Sequence, residues 1–227
     1  MVDFSREINL IGQENFDKLA KAKVAVVGVG GVGGYCVEAL VRMGVGEIRI
    51  FDGDTISSSN VNRQIIATTK NIGNSKVEEF KDRCQNINPN CKVIAENVFV
   101  NKDNVSLLKF EEIDFVIDAI DNITAKIALI KYCQDSGVEI ISCMGTGNKL
   151  DPTRFEVTDI YKTSVCPVAK IIRKLCRENE IKQLKVVYSK EEPIINCEGR
   201  VPSSISFVPP VAGLILVSEA YKYLIKK

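Results

Sequence analysis

The sequence predicts an α/β fold: a Rossmann-like, largely parallel sheet with helices on both faces, extended by C-terminal antiparallel strands and a final helix. Three observations carry this prediction. The apolar run Val24 to Val27 enters a glycine cluster, Gly28, Gly30, Gly31, Gly33 and Gly34, and a helical pattern through Val37, Leu40 and Val41 follows at once. Short apolar runs then alternate with helical periodicity as far as Gly145-Thr146-Gly147. Beyond that point the alternation stops, and 154–160 carries Phe155, Val157 and Ile160 as a half-exposed strand does.

A helix ending in Phe16, Leu19 and Ala20 precedes the first strand, 23–28. Strand, glycine turn and helix in that order make the phosphate-cradling start of a nucleotide-binding βαβ unit. One glycine permits the turn, one admits a phosphate to the backbone, and one lets helix and strand close up. The first helix runs to about Met43, and Gly44 follows it as a C′ residue. The second strand, Glu47 to Phe51, delivers Asp52, 24 residues after Gly28, where such folds place the acid that binds ribose hydroxyls. A polar loop, Asp54 to Gln64, leads to a helix opened by Ser75 and Glu78 as a capping box. Lys76 stands in its first turn, against the helix dipole, which points to an anion nearby.

Asn88-Pro89 ends that helix, and Lys92–Asn97 reads as the third strand, followed by a short helix near 103–109. The fourth strand, Ile113–Ile117, ends in Asp118-Ala119-Ile120-Asp121-Asn122. Two carboxylates just past a buried parallel strand lie at the ligand-binding edge, and both are Mg²⁺ candidates. One of them is equally suited to cap the helix that begins near Thr124; Asp121 is favoured as the ligand, with Asp118 divided. That helix ends at Gly137 before a fifth strand, Val138–Cys143. A loop, 161–166, precedes a helix from Pro167 to about Arg177. Strands at 184–188 and 204–208 follow, and Pro209-Pro210 opens a last apolar helix.

Length and composition bound the rest. The 227 residues, 45% hydrophobic, suffice for one sizeable core, read as a single domain 1–227 with a nucleotide-binding part, 1–150, and an extension, 151–227. No apolar stretch is long enough to span a bilayer and the N-terminus lacks a signal-peptide form, so a cytoplasmic protein is expected. Eight cysteines form no CxxC pair, which argues against zinc. There is no histidine, so catalysis has to rest on carboxylates, cations, backbone dipoles or a thiolate rather than on an imidazole base.

The segments Gly28-Val29-Gly30-Gly31-Val32-Gly33, Asp52-Gly53-Asp54, Ser59-Asn60-Val61-Asn62-Arg63-Gln64, Gly73-Asn74-Ser75-Lys76 and Asp118-Ala119-Ile120-Asp121-Asn122 occur in that order. Together they resemble the adenylating domain of the ubiquitin-activating-like superfamily, the MoeB and ThiF group. Asp151 to Val157, Tyr161-Lys162-Thr163 and Ser206 to Gly213 narrow the resemblance to the TcdA-like tRNA threonylcarbamoyladenosine dehydratases. The resemblance implies that the glycine loop and Asp52 hold ATP, with Asp54 and Asp118 nearby. It implies that Asn60, Arg63, Gln64 and Lys76 surround the triphosphate and that Asp121 holds Mg²⁺. Arg6 matches an arginine that reaches the other subunit's nucleotide, which implies a homodimer. Arg6, Arg63, Lys76 and Asp121 are then the catalytic set. The implied reaction is adenylation of the threonyl carboxylate of threonylcarbamoyladenosine in tRNA, then ring closure with loss of AMP. A sulfur-relay protein is a further implied partner. Cys166 corresponds to a crossover-loop cysteine of some relatives, but ring closure needs no such nucleophile, and it reads as a partly buried structural thiol.

Between Tyr161 and Lys190 eight Lys/Arg face two Glu, a local charge of +6 in a chain of net +1. Lys170, Arg173, Lys174 and Arg177 share one helix face, which suits RNA phosphates. Three rival readings share parts of this pattern. An adenylyltransferase for a sulfur-carrier protein has the same nucleotide half, but the missing zinc ligands and the basic stretch speak against it. An NAD-dependent oxidoreductase fits the glycines and Asp52 but not Arg63 and Lys76. A non-catalytic nucleotide-binding scaffold fits any site inferred from motifs.

Overall fold

The computed structural model describes residues 2–194 and 202–226; Cys197, one of the eight cysteines, lies outside them. Two short helices, α1 (Ser5–Ile11) and α2 (Gln13–Lys21), lead into β1 (Lys23–Val27), α3 (Gly33–Arg42) and β2 (Glu47–Phe51). Then come α4 (Lys76–Ile87), β3 (Lys92–Glu96), β4 (Phe115–Asp118), α5 (Ile123–Ser136) and β5 (Ile140–Cys143). The remainder is β6 (Phe155–Asp159), α6 (Pro167–Glu178), β7 (Lys185–Ser189) and α7 (Val208–Leu224). The strands form one sheet in the order β3-β2-β1-β4-β5-β7-β6. Among the described residues only β6 runs antiparallel in the sheet, against β7; the other pairings are parallel.

Both faces of the central strands are buried, which is why β1 is apolar at successive positions rather than alternating. Val24 and Val26 point into a core shared with α3, α4 and α7, through Val37, Leu40, Phe80, Ala212 and Leu216. Ala25 and Val27 point the other way, to Phe110, Leu129 and Cys133. A third cluster packs α6, through Ile172 and Cys176, onto Val186 and Tyr188 of β7. Met43 caps α3 and Gly44 follows at φ 78°, as expected of a C′ glycine. Among the described residues no helix is long and apolar enough to cross a membrane.

Two expectations fail. No strand forms at 204–208: Val208 already begins α7, with Pro209 and Pro210 in its first turn. Prolines lack the N–H that a strand ladder needs but lose nothing at a helix start, so the pair converts the Ile205–Phe207 alternation into a helix entry. The capping box at Ser75 and Glu78 is also absent. Ser75 makes no side-chain cap bond, and it is Glu79, not Glu78, that is engaged, accepting from Asn71 Nδ2 at 2.9 Å and Asn74 Nδ2 at 2.6 Å.

Candidate active site

From β1 the chain winds outward through β2 and β3 in one direction, and from β4 through β5 in the other. Where the winding reverses, between β1 and β4, the loops at the carboxyl edge part and leave a crevice. A cavity of about 870 Å³ opens there. The turn after β1 lines it with Gly28, Gly30 and Gly31, and the end of β2 adds Asp52 and Asp54. Asn60, Arg63 and Gln64 enter from the following loop, Lys76 from the start of α4, and Asp121 from the turn after β4.

Two of the glycines are required by geometry. Gly28 has φ +84° and its missing Cβ would lie 2.8 Å from the carbonyl oxygen of Ala119. At Gly33 a Cβ would lie 1.8 Å from the carbonyl oxygen of Gly28. Gly33 does not line the cavity, so its expected ligand contact is replaced by a packing role: it lets α3 rest on the β1 turn. Gly33→Ala should force the helix off that turn, costing about 1–3 kcal/mol or more. A thermal melt in the presence and absence of ATP checks both stability and the loss of ligand-induced stabilisation.

Asp52 is buried and structurally committed. Its Oδ2 accepts from Val29 N–H and its Oδ1 from Asp54 N–H, both at 2.9 Å. Burial raises its pKa, and the neighbouring Lys76 charge opposes that rise. Each carboxylate oxygen keeps a second lone pair, which is what a ribose hydroxyl needs. Lys76, 4% exposed, opens α4 with its ammonium 2.7 Å from Asp54 Oδ2 and 3.9 Å from Asp52 Oδ1. The anion that its position in the helix calls for is therefore this aspartate pair.

Asn60 is held by Ser57 N–H, which donates to its Oδ1 at 3.0 Å. Arg63 donates from Nη1 to Ser59 O and Asn62 Oδ1, both at 2.9 Å. Gln64 is 7% exposed, and its Oε1 has no hydrogen-bond partner among the described residues. A buried amide oxygen left unpaired costs about 1–3 kcal/mol. A donor on a molecule bound in the cavity would remove that cost.

The turn after β4 departs from expectation at one residue. Asp118 neither caps the helix nor lines the cavity. The cap is Asn122, whose Oδ1 accepts from Ala125 N–H at 3.0 Å. Asp118 is fully buried, with Oδ2 taking the Lys126 ammonium at 2.8 Å and the Ser142 hydroxyl at 2.5 Å, and Oδ1 taking Ile120 N–H at 3.0 Å. That leaves Asp121 as the exposed carboxylate of the turn, at the cavity wall.

Sequence reasoning missed several parts of the wall. Lys126 lines it from α5, Phe99 to Asp103 close one side, and Gly145, Thr146, Gly147, Val168 and Pro202 form the far end. Phe99 lies over Gly53, whose absent Cβ would meet its ring at 2.6 Å. A glycine directly after the strand-end Asp52 was the one signal for that contact.

Arg6 is not in the cavity of its own chain. It lies on α1, beside Asp3, Glu7, Arg42 and Asn88, at a smaller cavity. The basic residues sit on α6. Lys170, Lys174 and Arg177 are exposed, but Arg173 is part-buried, donating from Nη1 to Thr163 O and Oγ1 at 2.7 Å. Arg177 also lies over the Tyr161 ring, 5.7 Å from its centroid. Cys166 is buried, N-terminal to Pro167 at the start of α6.

The sequence model of the ThiF family matches residues 4–227. This chain belongs to the ThiF family. The tRNA threonylcarbamoyladenosine dehydratase of Bacillus subtilis (strain 168) is 41% identical to it over 240 residues, covering 98% of this chain and 94% of the relative. The crystal structure of E. coli tRNA N6-threonylcarbamoyladenosine dehydratase, TcdA, in complex with ATP aligns with TM-score 0.93 at 33% identity, over 98% of this chain and 93% of that one. The AMP complex of the same enzyme aligns equally well, with TM-score 0.93. A ThiF-family member therefore has its glycine turn, its Lys76–Asp54 pair and its Asp121 turn around one crevice, and its relatives' crystals carry adenine nucleotides.

Proposed function

We propose that this protein is an ATP-dependent dehydratase that adenylates the threonyl carboxylate of threonylcarbamoyladenosine in tRNA and then cyclises it. The observation that carries the reading is the single cavity that collects Gly28, Arg63, Gln64, Lys76 and Asp121 at the switch point of the sheet. Relatives of that name match nearly the whole chain rather than the nucleotide half alone.

The chemistry suits a chain without histidine. A carboxylate oxygen attacks the α-phosphorus of ATP and the bond to pyrophosphate breaks, leaving an acyl-adenylate. A nitrogen of the same substituent then attacks the acyl carbon, loses its proton and expels AMP. The oxygen removed from the substrate departs on AMP, so the sum is loss of one water. Neither step demands a strong base, but the first demands alignment and positive charge where pyrophosphate leaves. Lys76 and Arg63 supply that charge, with the triphosphate competing with Asp54 for the Lys76 ammonium. The orphaned Gln64 Oε1 fits a ligand donor in the same cavity.

Asp121 would hold Mg²⁺. Of the carboxylates at the ends of β2 and β4, Asp52 is committed to backbone N–H groups, Asp54 to Lys76 and Asp118 to Lys126, which leaves Asp121. One free carboxylate plus phosphate oxygens is an ordinary Mg²⁺ set, and the ion supplies charge to the phosphates when bound.

Arg6 would complete the site of a second copy. It lies away from its own cavity, on a helix, α1, that buries none of its residues and exposes Leu10 at 84%. The exposed face of α6 would take tRNA phosphates. Because Arg173 is tied to Thr163, the residues to test are Lys170 and Lys174. Reversing both to glutamate should weaken tRNA binding and flatten its salt dependence, while the melt stays unchanged. The seven described cysteines are free and buried, which suits a reducing compartment, and we place the enzyme in the cytosol.

The deciding experiment is mass spectrometry of tRNA nucleosides after incubation with protein and ATP. Loss of one water from threonylcarbamoyladenosine is the expected result. Pyrophosphate release with a sulfur-carrier protein instead of tRNA would replace this reading with the carrier adenylyltransferase.

A further inference from the structure

Lys126 is a buried charge that the reaction described above leaves unused. It is 1% exposed, yet it belongs to the cavity floor. An ammonium has three protons, and all three are directed: to Asp118 Oδ2 at 2.8 Å, to the Cys143 carbonyl at 3.0 Å and to Ser142 Oγ at 3.2 Å. All three bonds go to other parts of the protein rather than into the cavity.

Its partners belong to two different strand ends. Asp118 is the last residue of β4 and pairs in register with Ser142 of β5. Through its other oxygen Asp118 accepts Ile120 N–H, which shapes the turn that presents Asp121. That turn also abuts the glycine loop, since Ala119 O lies 2.8 Å from where a Gly28 Cβ would be. Cys143 stands one residue beyond the β4–β5 ladder, so its carbonyl has lost its strand partner on that side and takes the ammonium instead. From Cys143 the chain runs on through Met144 to Gly145–Gly147, the far wall of the cavity. One ammonium thus bonds to both the phosphate-side turn and the acceptor-side loop.

Stability does not explain such an arrangement. A buried ion pair is often no more stabilising than well-packed apolar side chains of the same volume. What it adds is three bonds of fixed direction. We propose that Lys126 is a positioning residue, holding the Asp121 turn and the Gly145–Gly147 loop in one relative placement, so that the acceptor carboxylate meets the α-phosphorus in line. This rests on the dehydratase reading: with the glycine turn, Arg63, Lys76 and Asp121 given to ATP, the Gly145–Gly147 end of the cavity is the part left for the acceptor.

The test uses the neutral pair Lys126→Met/Asp118→Asn, which removes the ammonium without stranding a buried carboxylate. ATP affinity is read by direct binding, and kcat and KM by ring closure on modified tRNA. The double variant should melt close to the wild type and bind ATP within about threefold. Its kcat should fall about 10²-fold, the cost of a misplacement near 1 Å, with KM for tRNA little changed. A kcat within threefold of wild type would reduce Lys126 to a charge neutraliser and overturn the proposal. So would a parallel loss of ATP affinity and kcat. If the double variant does not fold, Ser142→Ala loosens the same ammonium with little volume change. It should slow kcat about tenfold at unchanged ATP affinity, and normal turnover would again overturn the proposal. Wild-type turnover is measured alongside; its absence would sink the dehydratase reading itself, a different outcome from normal turnover in the variants.

Discussion

Replacing Lys76 by methionine should lower ATP-dependent pyrophosphate release about 10²–10³-fold, the usual loss when one preorganised donor to developing charge is removed. The position is demanding. Lys76 is buried at the first residue of α4, where its charge opposes the helix dipole, and it is tolerated because Asp54 lies 2.7 Å away. A lysine kept there at a cost to the helix is well placed for a polyanion that outcompetes Asp54. Methionine keeps the packing stem and removes the ammonium. The melting temperature should therefore move little while the rate falls. Labelled pyrophosphate release under single-turnover conditions, beside a thermal melt, separates the two effects. A rate within threefold of wild type would remove Lys76 from the catalytic set.

The second large effect is on stability. Lys126→Met alone should cost about 3–5 kcal/mol, the typical loss when one partner of a buried ion pair is removed. For a chain of this size that is a fall in melting temperature of about 6–20 °C. Asp118, 0% exposed, would keep only the Ser142 hydroxyl and Ile120 N–H. Adding Asp118→Asn should recover most of the loss, because the penalty lies in the stranded carboxylate rather than in the missing lysine. Denaturant titration of the single and double variants measures both. A single variant as stable as wild type would mean that solvent reaches Asp118.

The contrast between these two lysines shows what a linear reading can find. Lys76 was legible because it follows a serine of helix-start type and a polar loop, a place where a cation is out of keeping with the dipole. The β1–glycine–α3 unit was legible for the same kind of local reason. Lys126 was not, because its meaning depends on Asp118 and Ser142, which arrive from two other strands, and an isolated lysine in a helix is usually solvated. Asp118 was left divided between capping and ligation, and tertiary packing gave it to neither. Phe99 to Asp103 escaped notice because their place over the cavity follows from where β3 ends in the sheet, not from any pattern in their residues. The strand expected at 204–208 does not form, whereas the helix expected from Pro209-Pro210 does, beginning one residue earlier at Val208.

The last helix has a consequence for how the protein is made. Pro209 lines the nucleotide cavity, Gly213 lies against the Val32 carbonyl, and the Cys36 thiol donates to Gly213 O at 3.3 Å. The glycine turn, near the start of the chain, is thus completed by a segment translated long after it. At about 5–20 residues per second, β1 to β3 leave the ribosome several seconds ahead of α7. During that interval the face of α3 that packs on α7 waits without its cover, and the cavity lacks the wall that Pro209 supplies.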